Sequence, residues 1–203
     1  MQSCRIYKSQ NLTLRYIMDY RTLGKTGLSI SSIGFGASSL GGVFHSFDEN
    51  RGIDAVFAAI DAGINYIDVS PYYGHYKAET VLGKALKDIP HSKYTLSTKV
   101  GRYGKDGKNI WDYSAERVRT SAYESMERLN IDHIDILFVH DIEFQASLPG
   151  GLQKIADETL PALARLKEEG VVSHIGCTDL QLENLRWIIE HTPKGTIECL
   201  LSF

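Results

Sequence analysis

A chain of 203 residues, 43% apolar and 23% charged, is long enough to bury one substantial core, so a single globular domain is expected. Its formal net charge of −3 and the lack of any basic block argue against nucleic-acid binding, and no apolar run approaches a membrane span. These properties predict a soluble, cytoplasmic protein with neither a nucleic-acid nor a membrane partner.

Residues 1–18 stand apart: they carry Arg5, Lys8 and Arg15 but no acid. The stretch reads as a disordered extension or a misplaced start ahead of Met18, with a short basic transit peptide as the alternative. Residues 19–203 then form the domain. Cys4, Cys177 and Cys199 have no paired spacing and read as reduced thiols, and the seven histidines include no helical metal-binding pair. No metal is expected.

From Tyr20 the pattern "YRTLGKTGLSIS" predicts a hairpin about a glycine-bounded turn. A repeating unit follows, in which apolar strand-like runs alternate with helical patterns. Strands are predicted at Ser31–Ser38, Asn65–Ser70, Tyr94–Val100, Ile134–His140, Ser173–Thr178 and Ile197–Phe203. Helices are predicted in "RGIDAVFAAIDAG", "KAETVLGKALKD", "SAERVRTSAYESMERLN", "DETLPALARLKEEG" and "LENLRWIIEH". Ser114 is the expected N-cap of the third helix and Gly170 the expected C-terminal glycine of the fourth.

Strands separated by helices require a parallel sheet with crossover connections. A doubly wound nucleotide-binding fold would carry a glycine fingerprint after its first strand. "GFGASSLGG" has Ser39 at the third fingerprint position, and no acid follows at the ribose-binding spacing. The other candidate is a (β/α)8 barrel, whose chemistry sits at the C-terminal ends of several strands.

Those strand ends are informative. The second strand ends in Asp68, with Tyr73 five residues on; the third carries Lys99 and the fourth His140; the fifth ends in Thr178 and Asp179. An ionisable group in an apolar strand costs several kcal/mol unless it is paired. Neighbouring strands of a barrel place these groups at one mouth, so Asp68 is expected to pair with Lys99. A phenol titrates near ~10 in water, and an adjacent lysine lowers that value by favouring the phenolate. Tyr73 beside Lys99, with His140 to hold a substrate oxygen, is therefore a proton-transfer set for an alcohol or carbonyl. Such a set needs a separate hydride carrier.

These residues resemble the aldo-keto reductases, from "LGKTGLSISSIGFG" to the last residue. "GINYIDVSPYYG", "STKVG" and "ILFVHD" are similar to the family segments that carry its catalytic tetrad, which places the tetrad at Asp68, Tyr73, Lys99 and His140. The resemblance implies an α/β fold of the (β/α)8 TIM-barrel type, here ending after about six strands and five helices. It also implies NAD or NADP as cofactor and a sugar or related carbonyl as substrate. "SPYYG", "GRYGKDG…WDYSAERVR" and "ETLPALARLKEEG" are most similar to the plant-type L-galactose dehydrogenase branch, which oxidises C1 of a sugar to a lactone. Gly36, Thr178 and Asp179 then fall at the cofactor, with Thr178–Asp179 where the family commonly has Ser-Asn. Tyr72, Trp111 and the segment "GRYGKDGKNIW" fall at the substrate pocket. The short length implies an inactive or weakly active fragment. Two alternatives are a non-catalytic regulatory protein like the potassium-channel β-subunits, which share the fold, and a lyase barrel with Lys99 as a Schiff base.

Overall fold

The computed structural model describes residues 18–43 and 48–202. Most of the predicted N-terminal extension, residues 1–17, lies outside them, as does Phe203.

The chain opens with an antiparallel hairpin, β1 (Tyr20–Thr22) and β2 (Ser29–Ser31), in the predicted place and with Tyr20 opposite Ser31. Next come β3 (Phe35–Gly36), α1 (Glu49–Asp61), β4 (Tyr66–Asp68), α2 (Lys77–Leu86) and β5 (Thr95–Val100). A second antiparallel hairpin, β6 (Arg102–Lys105) and β7 (Lys108–Trp111), precedes α3 (Ala115–Leu129) and β8 (Ile134–Val139). Two short helices, α4 (Glu143–Ala146) and α5 (Gly151–Lys154), lead through a π-helical turn at Ile155–Thr159 into α6 (Leu160–Glu168). The described chain closes with β9 (Val172–Thr178), α7 (Leu182–Glu190) and β10 (Cys199–Leu201).

Six strands form one parallel sheet in the order β10-β9-β8-β5-β4-β3, which is chain order without a reversal. A doubly wound sheet reverses direction at a switch point, whereas a barrel adds each strand beside the last. The architecture is therefore six successive strands of a (β/α)8 barrel with helices on the outside. The predicted first strand is divided in the structure. Ser31 belongs to the opening hairpin and only Phe35–Gly36 joins the sheet. Between them Ser31 turns to Asn65: its amide donates to Asn65 Oδ1, while its hydroxyl accepts from the Asn65 amide.

Side-chain alternation decides what faces each way. Ile67, Val69 and Leu96 point outward into a cluster with Val56 of α1 and Val81, Leu82 and Ala85 of α2. Leu137, Val139, Ile175 and Cys177 do the same against Val118, Leu163, Leu166 and Leu185 of α3, α6 and α7. The opposite face of the strands holds Ile136, Phe138 and Cys199, with Leu23 and Leu28 of the first hairpin packed against them. Asp68, Ser97 and Lys99 share the phase of that inner face, so the alternation that builds the core also aims the polar groups inward.

Capping follows the predicted chemistry. Ser114 Oγ accepts from the Arg117 amide, and Gly170, at φ 76°, receives the end of α6 with its amide bonded to the Lys167 carbonyl. The glycine-rich stretch after β3 has a packing role. A Cβ on Gly41 would lie 2.7 Å from the Tyr73 carbonyl carbon, and one on Gly74, at φ 61°, would lie 2.1 Å from the Gly41 oxygen. Two glycines let backbone meet backbone here, which fixes the loop carrying Tyr73 against the 3-10 turn Ala37–Gly41.

Candidate active site

The site sits where β4, β5 and β8 end. Lys99, with its side chain 1% exposed, directs Nζ to Asp68 Oδ2 at 2.6 Å, to the Val69 carbonyl at 2.9 Å and to the Tyr73 hydroxyl at 3.1 Å. Three acceptors satisfy the three protons of the ammonium. The other Asp68 oxygen accepts from Ser97 Oγ at 2.7 Å, and Ser97 in turn lies 2.9 Å from the Tyr66 hydroxyl. Asp68 is thus held on both sides, and the expected Asp68–Lys99 pair is in place.

Electrostatics assign protonation states. Burial opposes the Lys99 charge, but the attraction of Asp68 and Tyr73 outweighs it and raises the lysine above its ordinary value. For Tyr73 the balance differs from the sequence-based expectation. Burial raises the phenol more than Lys99 lowers it, so the net shift is upward. His140 is pushed well below its ordinary value of 6.5 by burial, then by Lys99 and Arg102, and it is neutral at neutral pH.

His140 follows β8, its amide bonded to the Val100 carbonyl. Its ring stands perpendicular to Tyr73 at 5.8 Å between centroids, and edge-on to Tyr72 at 6.0 Å. Nδ1 lies 3.0 Å from Ser70 Oγ, and Nε2 lies 3.5 Å from Asp141 Oδ2. The Tyr113 hydroxyl donates to the carbonyls of both His140 and Asp141, at 2.8 and 2.9 Å, and so anchors this backbone.

The remaining predicted residues border this cluster, some of them buried. Gly36 pairs in register with Asp68, and a Cβ placed on it meets nothing within 4 Å. Thr178 Oγ1 donates to Asp141 Oδ1 and accepts from the Asp141 amide, both at 2.7 Å. Asp179 is buried; its carboxylate accepts from the Gln181 amide and from Asn184 Nδ2, and so holds the start of α7. Trp111 is 36% exposed at the end of β7 and stacks on Phe144 at 5.1 Å.

At this mouth Phe144 and Glu143 escape the sequence reading, as does the stacked position of Arg102 within the expected pocket segment "GRYGKDGKNIW". Arg102 lies between the rings of Tyr72 and Phe144, at 3.9 and 4.4 Å, and forms an ion pair with Asp141. With Trp111 this makes a continuous stack of Tyr72, Arg102, Phe144 and Trp111. Burial, then Asp141 and Asp179, push the neighbouring Glu143 up to about 7. The hairpin that supplies Arg102 has a signal in the sequence. Asp106-Gly107 is a two-residue turn with φ of 50° and 73°, the left-handed pair such hairpins demand.

Comparison with known proteins agrees with this geometry. The chain is 47% identical over 188 residues to L-galactose dehydrogenase of Arabidopsis thaliana, covering 92% of this chain and 56% of that protein. It is 34% identical over 170 residues to D-threo-aldose 1-dehydrogenase of a Pseudomonas species, covering 74% of this chain and 50% of the relative. Among solved structures, the holo form of an aldo-keto reductase from Bacillus halodurans superposes with a TM-score of 0.78 at 29% identity. That match takes in 92% of this chain and 57% of the other. The chain thus spans about half the length of the curated relatives it matches. Residues 32–200, which hold all of β3 to β9 and every residue of the cluster above, match the Aldo/keto reductase family, and the chain belongs to that family.

Proposed function

We propose that the protein is an NAD(P)-dependent oxidoreductase of the aldose 1-dehydrogenase type, which oxidises C1 of a sugar such as L-galactose to its lactone. The observation that carries this reading is the position of Lys99 Nζ, shared between Asp68 and the Tyr73 hydroxyl with neutral His140 beside them. Tyr73 is the group that exchanges the proton of the C1 hydroxyl. Lys99 balances the phenolate, Asp68 keeps Lys99 charged and oriented, and His140 holds the substrate oxygen by a hydrogen bond. The names of the two relatives support an aldose as substrate class.

The chemistry of this donor set fits a nicotinamide partner. Tyr73, Lys99, Asp68 and His140 can hold an oxygen and move a proton, and none of them can accept a hydride. When bound, NAD or NADP supplies the hydride acceptor. Gly36, with open space where a side chain would stand, would line its nicotinamide end together with Thr178 and Asp179. Thr178 would share its hydroxyl with Asp141, and Asp179 would serve while still accepting from the Gln181 amide and Asn184 Nδ2. Tyr72 and Trp111, each with one ring face against Arg102 or Phe144, would offer the other face to the C–H face of a sugar ring.

The test is reduction of NAD+ and of NADP+ in the presence of L-galactose and other aldoses, with protein purified from its own source at whatever length it has there. The expected result is turnover with at least one aldose that falls roughly 10²–10⁴-fold in Tyr73→Phe. Undiminished turnover in Tyr73→Phe, or none with any aldose, overturns the reading.

A further inference from the structure

Ser70 lies two residues after Asp68, at the start of the loop that carries Tyr73, and is fully buried. Its hydroxyl oxygen accepts the Tyr72 amide proton at 3.1 Å and lies 3.0 Å from His140 Nδ1. One hydroxyl therefore bridges the tyrosine loop and the histidine across 70 residues of sequence.

A hydroxyl has a single proton to give. Among the described residues, the only acceptor within reach of the Ser70 proton is His140 Nδ1. Left ungiven, that proton would be a buried donor without a partner, which costs on the order of 1–3 kcal/mol. The opposite side of the ring favours the same arrangement. Nε2 faces the Asp141 carboxylate at 3.5 Å, and a carboxylate attracts a ring N–H and repels a ring lone pair. Burial, Lys99 and Arg102 keep the imidazole neutral, so one nitrogen carries the proton and the other a lone pair.

We infer that Ser70 is a positioning residue that locks neutral His140 as the Nε2–H tautomer, leaving Nε2 as a hydrogen-bond donor to the substrate oxygen. This rests on the dehydrogenase reading above and adds to it a source for the donor's direction. With Nδ1 protonated instead, Nε2 would present a lone pair to the C1 oxygen and repel it. Because the same hydroxyl takes the Tyr72 amide, the orientation of His140 is tied to the loop that places the Tyr73 phenol.

The test reads the tautomer directly, by two-bond 1H–15N correlation NMR of the histidine rings at neutral pH, with His140→Gln to assign the signal. The unsubstituted protein is expected to show a single Nε2–H pattern for His140. Ser70→Ala is expected to move it to a mixture or to Nδ1–H and to lower kcat about tenfold, the worth of one hydrogen bond, with little change in KM. Ser70→Thr, which keeps a hydroxyl, is expected to restore both the pattern and kcat. An Nδ1–H pattern in the unsubstituted protein, or an unaltered pattern in a folded Ser70→Ala, overturns the inference. These outcomes are independent of the Tyr73→Phe assay, so failure here leaves the dehydrogenase reading standing, and failure there leaves the tautomer result standing.

Discussion

Lys99 Nζ stands 3.1 Å from the Tyr73 hydroxyl, yet the phenol sits above its ordinary value. Burial and the nearby Asp68 charge outweigh the pull of the lysine. Tyr73 is therefore protonated at neutral pH; in the proposed reaction it would give a proton for carbonyl reduction and would have to lose one for alcohol oxidation.

The direction of that shift sets the pH dependence. Oxidation requires the phenolate, so its kcat is expected to climb with pH and to show no plateau by the ordinary phenol value of 10. Reduction uses the phenol and is expected to stay level over the same range on the tyrosine's account. Paired kcat–pH profiles in the two directions check this. A plateau in oxidation near neutral pH would show that Lys99 dominates after all.

Removing the groups one at a time separates chemistry from folding. Tyr73→Phe leaves Lys99 with Asp68 and the Val69 carbonyl, so the fold should persist while kcat falls by roughly 10²–10⁴-fold, the usual worth of general acid–base catalysis. Lys99→Met removes the charge that balances Asp68 and the phenolate together, so it is expected to lower both kcat and thermal stability. Melting curves beside steady-state kinetics distinguish the two variants.

His140 predicts an acid limb of stability. Its folded-state value lies below the unfolded 6.5, so the unfolded chain takes up the proton first as pH falls. Stability should be fully present above about 6.5 and decline below it, by up to about 1.4 kcal/mol per pH unit until the folded value is reached. In His140→Asn that component should vanish. Urea denaturation at a series of acidic pH values, in both proteins, measures the difference.

A buried pair outside the mouth carries its own prediction. Glu79 of α2 is 0% exposed, with Oε1 accepting from Thr98 Oγ1 at 2.6 Å and Oε2 accepting from Arg128 Nε at 2.7 Å. Arg128→Met would strand a buried carboxylate, at a cost of roughly 3–5 kcal/mol. Adding Glu79→Leu should recover most of that loss. A double-mutant cycle by urea denaturation gives the coupling.

The legibility of this fold follows from where its information lies. Strands β5 and β8 are short runs with an ionisable residue beside their last position, Lys99 before Val100 and His140 after Val139, and both signals are local. The helices are as local, with Ser114 and Gly170 marking two ends in the expected way. The pairing of Asp68 with Lys99 was legible because adjacent parallel strands leave neighbouring ends no other arrangement. The stack of Tyr72, Arg102, Phe144 and Trp111 was not, since it joins three separate loops and depends on how the β6–β7 hairpin folds over. That hairpin shows little alternation; Arg102, Lys105, Lys108 and Asn109 mask it, and only Asp106-Gly107 betrays the turn. Glu79 and Ser70 were invisible because burial, which gives each its role, is a property of the assembled barrel. The net shift of Tyr73 is hidden for the same reason: the sequence shows the lysine and conceals the desolvation.

In the proposed reaction the Tyr73 cluster moves the proton while a bound nicotinamide would supply the hydride acceptor. The most direct measurement supplies L-galactose or the preferred aldose deuterated at C1 and follows the label by mass spectrometry. Expected are one deuterium in the reduced cofactor, a slower rate than with the unlabelled sugar, and transfer slowed roughly 10²–10⁴-fold in Tyr73→Phe. Lactone formed with the deuterium lost to water, or label transfer at full rate without the Tyr73 hydroxyl, would contradict the proposed reaction.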